Sequence, residues 1–150
     1  MKRTLRLISL VLAMAILLAV PAYAEPEVSP YSSCYFNSFT TYLHQISDGA
    51  FQIRFEVIAS CGLKDELGVS EIVVQRSTNG TNWEKIKTYY PYANPSMIGY
   101  DTAFHSGHVV YVGTQGYYYR AYVTYYAKNS SGTGYYSLYT EVLHLQPMSN

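Results

Sequence analysis

Between Phe51 and Ala59 every second residue is apolar: Phe51, Ile53, Phe55, Val57 and Ala59 alternate with Gln52, Arg54, Glu56, Ile58 and Ser60. Successive side chains of an extended chain point to opposite faces, so a period of two marks a strand with one face in a core and the other in water. Ile58 is the only break, and Cys61 is expected to continue on the buried face. Beyond the first 24 residues no stretch reads as a helix of ordinary length. The other periodic segments carry the same β-branched and aromatic residues, so the expectation is an all-β domain.

Tyr35 to His44 reads as a first strand, joined to the one above by a turn at Ser47-Asp48-Gly49. Gly62 to Ser70 reads as a loop in which Lys64-Asp65-Glu66 forms one helical turn. Ile72 to Arg76 is a strand. Asn79-Gly80 signals a hairpin, because both residues tolerate positive φ. Trp83 to Tyr90 returns as its partner, with Trp83 and Ile86 as anchors. Pro91 to Gly107 loses all periodicity. A connection of that length is uncommon in a compact domain unless it is functional, so it is either a functional loop or conceals an edge strand. Val109 to Val112 is a short strand and Tyr117 to Ala127 a long one. Lys128 to Gly134 reads as a polar loop and Tyr135 to Leu145 as the last strand. About seven strands with turns at these intervals predict an antiparallel β-sandwich.

The start of the chain carries an address. Lys2, Arg3 and Arg6 precede an apolar run from Leu7 to Val20 that only Ser9 interrupts, followed by Pro21 and Ala22-Tyr23-Ala24. This is the pattern of a secretory signal peptide cleaved after Ala24, leaving residues 25–150 as one domain. The run is shorter than the ~20 residues a membrane span needs. An uncleaved anchor is the rival reading. The expected product is secreted, with no stable membrane anchor after cleavage. The leader holds three of the ten basic residues and none of the ten acidic ones, which leaves seven against ten and a formal charge of −3. A weakly acidic domain without a basic cluster is a poor nucleic-acid binder. Cys34 and Cys61 both lie in the exported part. An even count in an oxidising compartment favours a disulfide over two free thiols.

Two stretches resemble a fibronectin type III or related immunoglobulin-like domain. Val73-Val74-Gln75-Arg76-Ser77-Thr78-Asn79-Gly80-Thr81-Asn82-Trp83-Glu84-Lys85-Ile86 is similar to that family's third strand, hairpin and return strand. Gly116-Tyr117-Tyr118-Tyr119-Arg120-Ala121-Tyr122-Val123, with Ser137 beyond the loop, resembles its sixth strand, tyrosine corner and seventh strand. The resemblance implies that Tyr117 is the corner tyrosine, its hydroxyl bonded to backbone a few residues upstream. It also implies that Gly62 to Ser70 and Lys128 to Gly134 meet at one end of the sandwich. The Cys pair and the Pro91 to Gly107 excursion depart from the family's pattern. The whole chain also looks like small secreted bacterial proteins of unknown function.

Tyrosine is the unusual residue, at 18 in the chain. With Tyr117 inward, Tyr119, Ala121, Val123 and Tyr125 share the core face, and Tyr118, Arg120, Tyr122, Thr124 and Tyr126 face outward. Tyr118, Arg120, Tyr122 and Tyr126 then offer rings, hydroxyls and a cation, a surface suited to an extracellular glycan or a protein. The alternative is that these residues only pair across strands, with Arg120 stacked on its neighbours. His105-Ser106-Gly107-His108, preceded by Asp101, could hold a metal only if Ser106-Gly107 turns, because residues three apart on a strand face opposite ways. The bland reading of polar loop histidines is favoured, so no metal or cofactor is expected. No nucleophile, base and orienting group are singled out, so a non-catalytic binding module is favoured. A self-associating structural protein and a small secreted hydrolase are the alternatives. Asn79-Gly80-Thr81 and Asn129-Ser130-Ser131 match the glycosylation acceptor pattern.

Overall fold

A computed structural model describes residues 35–148. The leader, its cleavage site and Cys34 lie outside the described residues. Nine antiparallel strands run through the described part: β1 (Phe36–Ser47), β2 (Ala50–Ala59), β3 (Lys64–Ser77), β4 (Glu84–Tyr89), β5 (Ile98–Thr102), β6 (Phe104–Val112), β7 (Tyr118–Asn129), β8 (Gly132–Tyr139) and β9 (Leu143–His144). They form two sheets. One is β1-β2-β6. The other runs β4-β3-β7-β8, with β5 also beside β3 and β9 also beside β7. β4 and β5 pair with successive parts of β3, and β8 and β9 with successive parts of β7. The second sheet is therefore four columns wide. No helix among the described residues is long and apolar enough to cross a membrane.

The alternation on β2 is realised in full. Phe51, Ile53, Phe55, Val57 and Ala59 are buried. From the opposite sheet Leu67, Val69, Ile72 and Val74 of β3 and Tyr119, Ala121, Val123, Tyr125 and Ala127 of β7 pack against them. Two seams close the layers. The Tyr125 hydroxyl donates to the Thr40 carbonyl of β1 at 2.6 Å. The Tyr89 hydroxyl donates to the Val110 carbonyl of β6 at 2.7 Å. Phe39 and Tyr136 stack across the first seam, ring centroids 4.3 Å apart.

Several expectations change. Gly62 to Ser70 is no loop, and Lys64-Asp65-Glu66 no helical turn, because β3 already begins at Lys64. Leu67 and Val69 point into the core opposite Ala127 and Tyr125. A register shift between Val69 and Glu71 then carries the inward positions on to Ile72 and Val74. Lys64 is itself buried, its ammonium donating to the Ser60 carbonyl at 2.7 Å. The segment from Pro91 to Gly107 conceals β5, a 3-10 turn at Pro95–Met97 and the start of β6. Lys128 to Gly134 is mostly strand, and only Ser130 and Ser131 lie between β7 and β8. The final segment divides into β8 and β9, and between them Thr140 takes over the pairing: Ala121 N–H donates to its hydroxyl at 2.9 Å.

Cys61 leaves the buried face. After Ala59 the chain turns, and Cys61 is exposed with φ 56°. Trp83 does not anchor the core either. It precedes β4, is half-buried, and lies on the outer face of the four-column sheet. In the hairpin before it, only Gly80 takes positive φ. The Asn79 side chain instead accepts the backbone N–H groups of Thr81 and Asn82 at 3.0 Å each.

Candidate functional site

The long strand β7 is the spine of the four-column sheet. Its inward residues from Tyr119 to Ala127 are buried, and those between them are half-buried. Tyr118, Arg120, Tyr122 and Tyr126 thus share the outer face, as parity requires. The hydroxyl-to-backbone bond expected of Tyr117 is made by Tyr119 instead. The Tyr119 hydroxyl donates to the Thr114 carbonyl at 3.1 Å and accepts the Thr114 N–H at 2.7 Å. Tyr119 is fully buried, whereas Tyr117 sits half-buried beneath the Arg76 guanidinium, 4.8 Å from its ring centre. Tyr117 precedes β7, so the first inward position of the strand falls to Tyr119.

Tyr118, Arg120, Tyr122 and Tyr126 each meet an aromatic partner on a neighbouring strand or loop, whereas Thr124 between them accepts the Ser137 hydroxyl at 3.1 Å. Tyr118 stacks on His144 of β9, centroids 4.1 Å apart and planes 13° from parallel. Tyr122 lies 4.7 Å from Tyr139, its directly opposed partner on β8. Tyr126 lies 5.3 Å from Tyr135 in the same manner. Arg120 is held between two rings, Trp83 at 4.3 Å and Tyr139 at 4.2 Å. Its Nε donates to Gln75 Oε1 at 2.7 Å, across the pair that Arg120 makes with β3. A guanidinium stacks on rings because its charge meets the negative π face while its plane lies flat. Both faces of Arg120 are therefore covered by protein, and the cation locks the rings instead of offering a stacking surface.

At the far end of the strip, Lys128 forms an ion pair with Glu66 at 2.8 Å. That hydrogen bond holds the Glu66 carboxyl below the usual carboxylate range. Burial, helped by the nearby Glu66 carboxylate, pushes the Tyr126 phenol up to about 12. The parts of the face left open are rings and phenol edges: Tyr135 is 55% exposed and Tyr139 48%.

The histidine motif does not converge. His105 lies near the Phe55 ring, with Nε2 2.9 Å from the Ser96 carbonyl oxygen. His108 is on the opposite face of β6, across from Arg54. Among the described residues no group of three His, Cys, Asp or Glu side chains is placed to hold a metal ion. The expected meeting of two loops survives in reduced form. Lys128 is in register with Glu66, so the Ser60 to Leu63 connection and the Ser130-Ser131 turn share one pole.

Sequence reasoning missed Trp83, Tyr135, Tyr139 and His144 as parts of this face. The parity of β8 would have placed Tyr135 and Tyr139 on one side. Trp83 and His144 lie outside or at the ends of strands, where parity gives no guide. A comparison with protein-family models finds no match, and a comparison with curated proteins also finds none.

Proposed function

We propose that this chain is an exported, non-catalytic binding module that meets a surface glycan or a protein through the outer face of the four-column sheet. One observation carries the reading: the aromatic strip from Tyr118 to Tyr126 is assembled in register across three strands, its rings held by one another. Eight residues of strand separate its ends, about 26 Å at the usual rise per residue. Rings held by neighbours lose little entropy on binding, and tyrosine adds a hydroxyl to each apolar face. A strip of that length and chemistry suits an extended oligosaccharide or peptide. The fibronectin type III resemblance gains support from a corner tyrosine at the start of β7 and from a three-column sheet facing a four-column one.

Secretion rests on the leader sequence. The disulfide between Cys34 and Cys61 belongs to the same proposal. Ser60 N–H donates to the Tyr35 carbonyl at 3.1 Å, so the residues next to the two cysteines are already bonded.

The test is a glycan array probed with residues 25–150, beside a Tyr122→Ala, Tyr139→Ala variant checked for folding. Selective binding lost in the variant supports the aromatic strip as the site. Failure of a folded wild type to bind removes sugars and leaves a protein partner or self-association. The latter has one observation in its favour. β1 is a twelve-residue edge strand without proline, lysine or any carboxylate, features that usually blunt an edge. Mass measured against concentration separates the two.

A further inference from the structure

The outer face of the three-stranded sheet carries a polar concavity that the aromatic strip on the opposite sheet does not use. Its volume is about 330 Å³ and its walls are Tyr42, Arg54, Glu56, Ser106 and His108, over the backbone of Phe55 and Gly107. Strand register builds it as two adjacent rows. Tyr42 of β1, Arg54 of β2 and His108 of β6 form one row. In the next row Glu56 and Ser106 stand opposite each other.

Arg54 and Glu56 stand two residues apart on one face, yet make no ion pair. Arg54 turns its Nε toward Gln52 Oε1, at 2.8 Å. Its terminal nitrogens, the Glu56 carboxylate, the Tyr42 hydroxyl and the His108 ring have no hydrogen-bond or ion-pair partner among the described residues. A guanidinium fork is matched to a carboxylate, which it binds through two parallel hydrogen bonds. A carboxylate one row away instead accepts from hydroxyl donors.

The row spacing favours a ligand whose carboxylate and hydroxyls lie several ångströms apart. Residues two apart on a strand are separated by about 6.6 Å, and neighbouring strands by about 4.8 Å. The carboxylate and ammonium of a free amino acid sit on one carbon, too close together to span two rows. A six-membered sugar acid carries its carboxylate at one end of the ring and its hydroxyls at the other.

We propose that this concavity binds a hexuronic acid unit of an acidic polysaccharide. Arg54 forks the carboxylate, with His108 beside it. Tyr42 lies along the sugar ring, and Glu56 and Ser106 take the hydroxyls at the far end. The site stands independently of the aromatic strip.

The experiment titrates the folded protein with a hexuronic acid trisaccharide and follows backbone amide shifts. A neutral trisaccharide, glycine and acetate serve as comparison ligands. The expected shifts cluster at Tyr42, Arg54, Glu56, Ser106 and His108, and the neutral sugar binds at least about tenfold more weakly. Arg54→Gln should lose about tenfold in affinity with an unchanged amide spectrum elsewhere, because the side chain is exposed. Arg54→Lys should retain part of it. The Tyr122→Ala, Tyr139→Ala variant should bind the uronate as the wild type does, which separates this site from the aromatic strip. Absence of shifts, shifts on the other sheet, or equal binding of the neutral sugar would overturn the proposal. So would acetate or glycine matching the trisaccharide, since a bare carboxylate site would then be enough.

Discussion

Burying a tyrosine ring is favourable, but its hydroxyl must still find a partner, and here that need ties the molecule together. Tyr119 bonds the backbone of Thr114, Tyr125 that of Thr40, and Tyr89 that of Val110. Tyr119→Phe should cost about 1–2 kcal/mol, the worth of hydrogen bonds lost at a well-packed site. Urea unfolding at constant m-value checks it. Tyr117→Phe, the position that the family resemblance favoured, should cost less. Alkaline pH acts on an overlapping set of phenols, Tyr89, Tyr125 and Tyr126. The Tyr126 phenol titrates in the folded chain at about 12, and burial also raises Tyr89 and Tyr125. Stability from these shifts is fully present below the unfolded value near 10, and is lost as pH climbs through the folded values, because the unfolded chain gives up protons first. Tyrosinate absorbance and circular dichroism should therefore change together above pH ~10. Parity along the sequence was enough to sort Tyr118, Tyr122 and Tyr126 from Tyr119 and Tyr125. It could not say which hydroxyl meets which carbonyl, since those partners are on strands up to 85 residues away.

Elements were legible where one strand face is wet and the other dry. β2 and β7 satisfy that condition, and their buried residues follow the alternation. β3 does not. Its first half carries a buried lysine, a glycine and a register shift, so local sequence looks like a loop, and pairing with β5 and β7 overrides it. β5 was hidden for the related reason that an edge strand of five residues has too few positions to show a period. Gly68 makes the β3–β5 pairing possible. A Cβ there would run into the backbone carbonyl of Met97. Gly68→Ala should force the segment after the 3-10 turn away from β3, at about 1–3 kcal/mol. Hydrogen exchange of the β5 amides after Ile98, whose own N–H bonds the Pro95 carbonyl in the turn, would report it, with faster exchange there than in β2. Unchanged protection would mean that β5 is held by something other than close backbone approach.

For the whole molecule, the sandwich and its single core were expected from strand count, whereas the candidate site was only half visible. The sequence placed the four β7 residues on one face. It gave no sign that Trp83 and Tyr139 cover both sides of Arg120, because that arrangement needs the hairpin and β8 folded onto the sheet. The proposed disulfide between Cys34 and Cys61 belongs to this scale, since it would tie the start of β1 to the β2–β3 connection. A closed loop of about 28 residues is worth roughly 3.5 kcal/mol on the chain-entropy account. Intact mass of exported protein should show two alkylated thiols only after reduction. Labelling of the native, unreduced protein would mean that both thiols are free.

The first and last described residues lie at opposite poles. Tyr35 packs against Gly132 and Gly134 beside the β7–β8 turn. Met148 N–H donates to Asp48 at the β1–β2 turn, at 2.8 Å. A pull applied between these points runs along the strands. It would drag β1 lengthwise past β2, loading their ladder of cross-strand hydrogen bonds together instead of peeling them one at a time. Force applied through these two points would, by this geometry, meet resistance in shear.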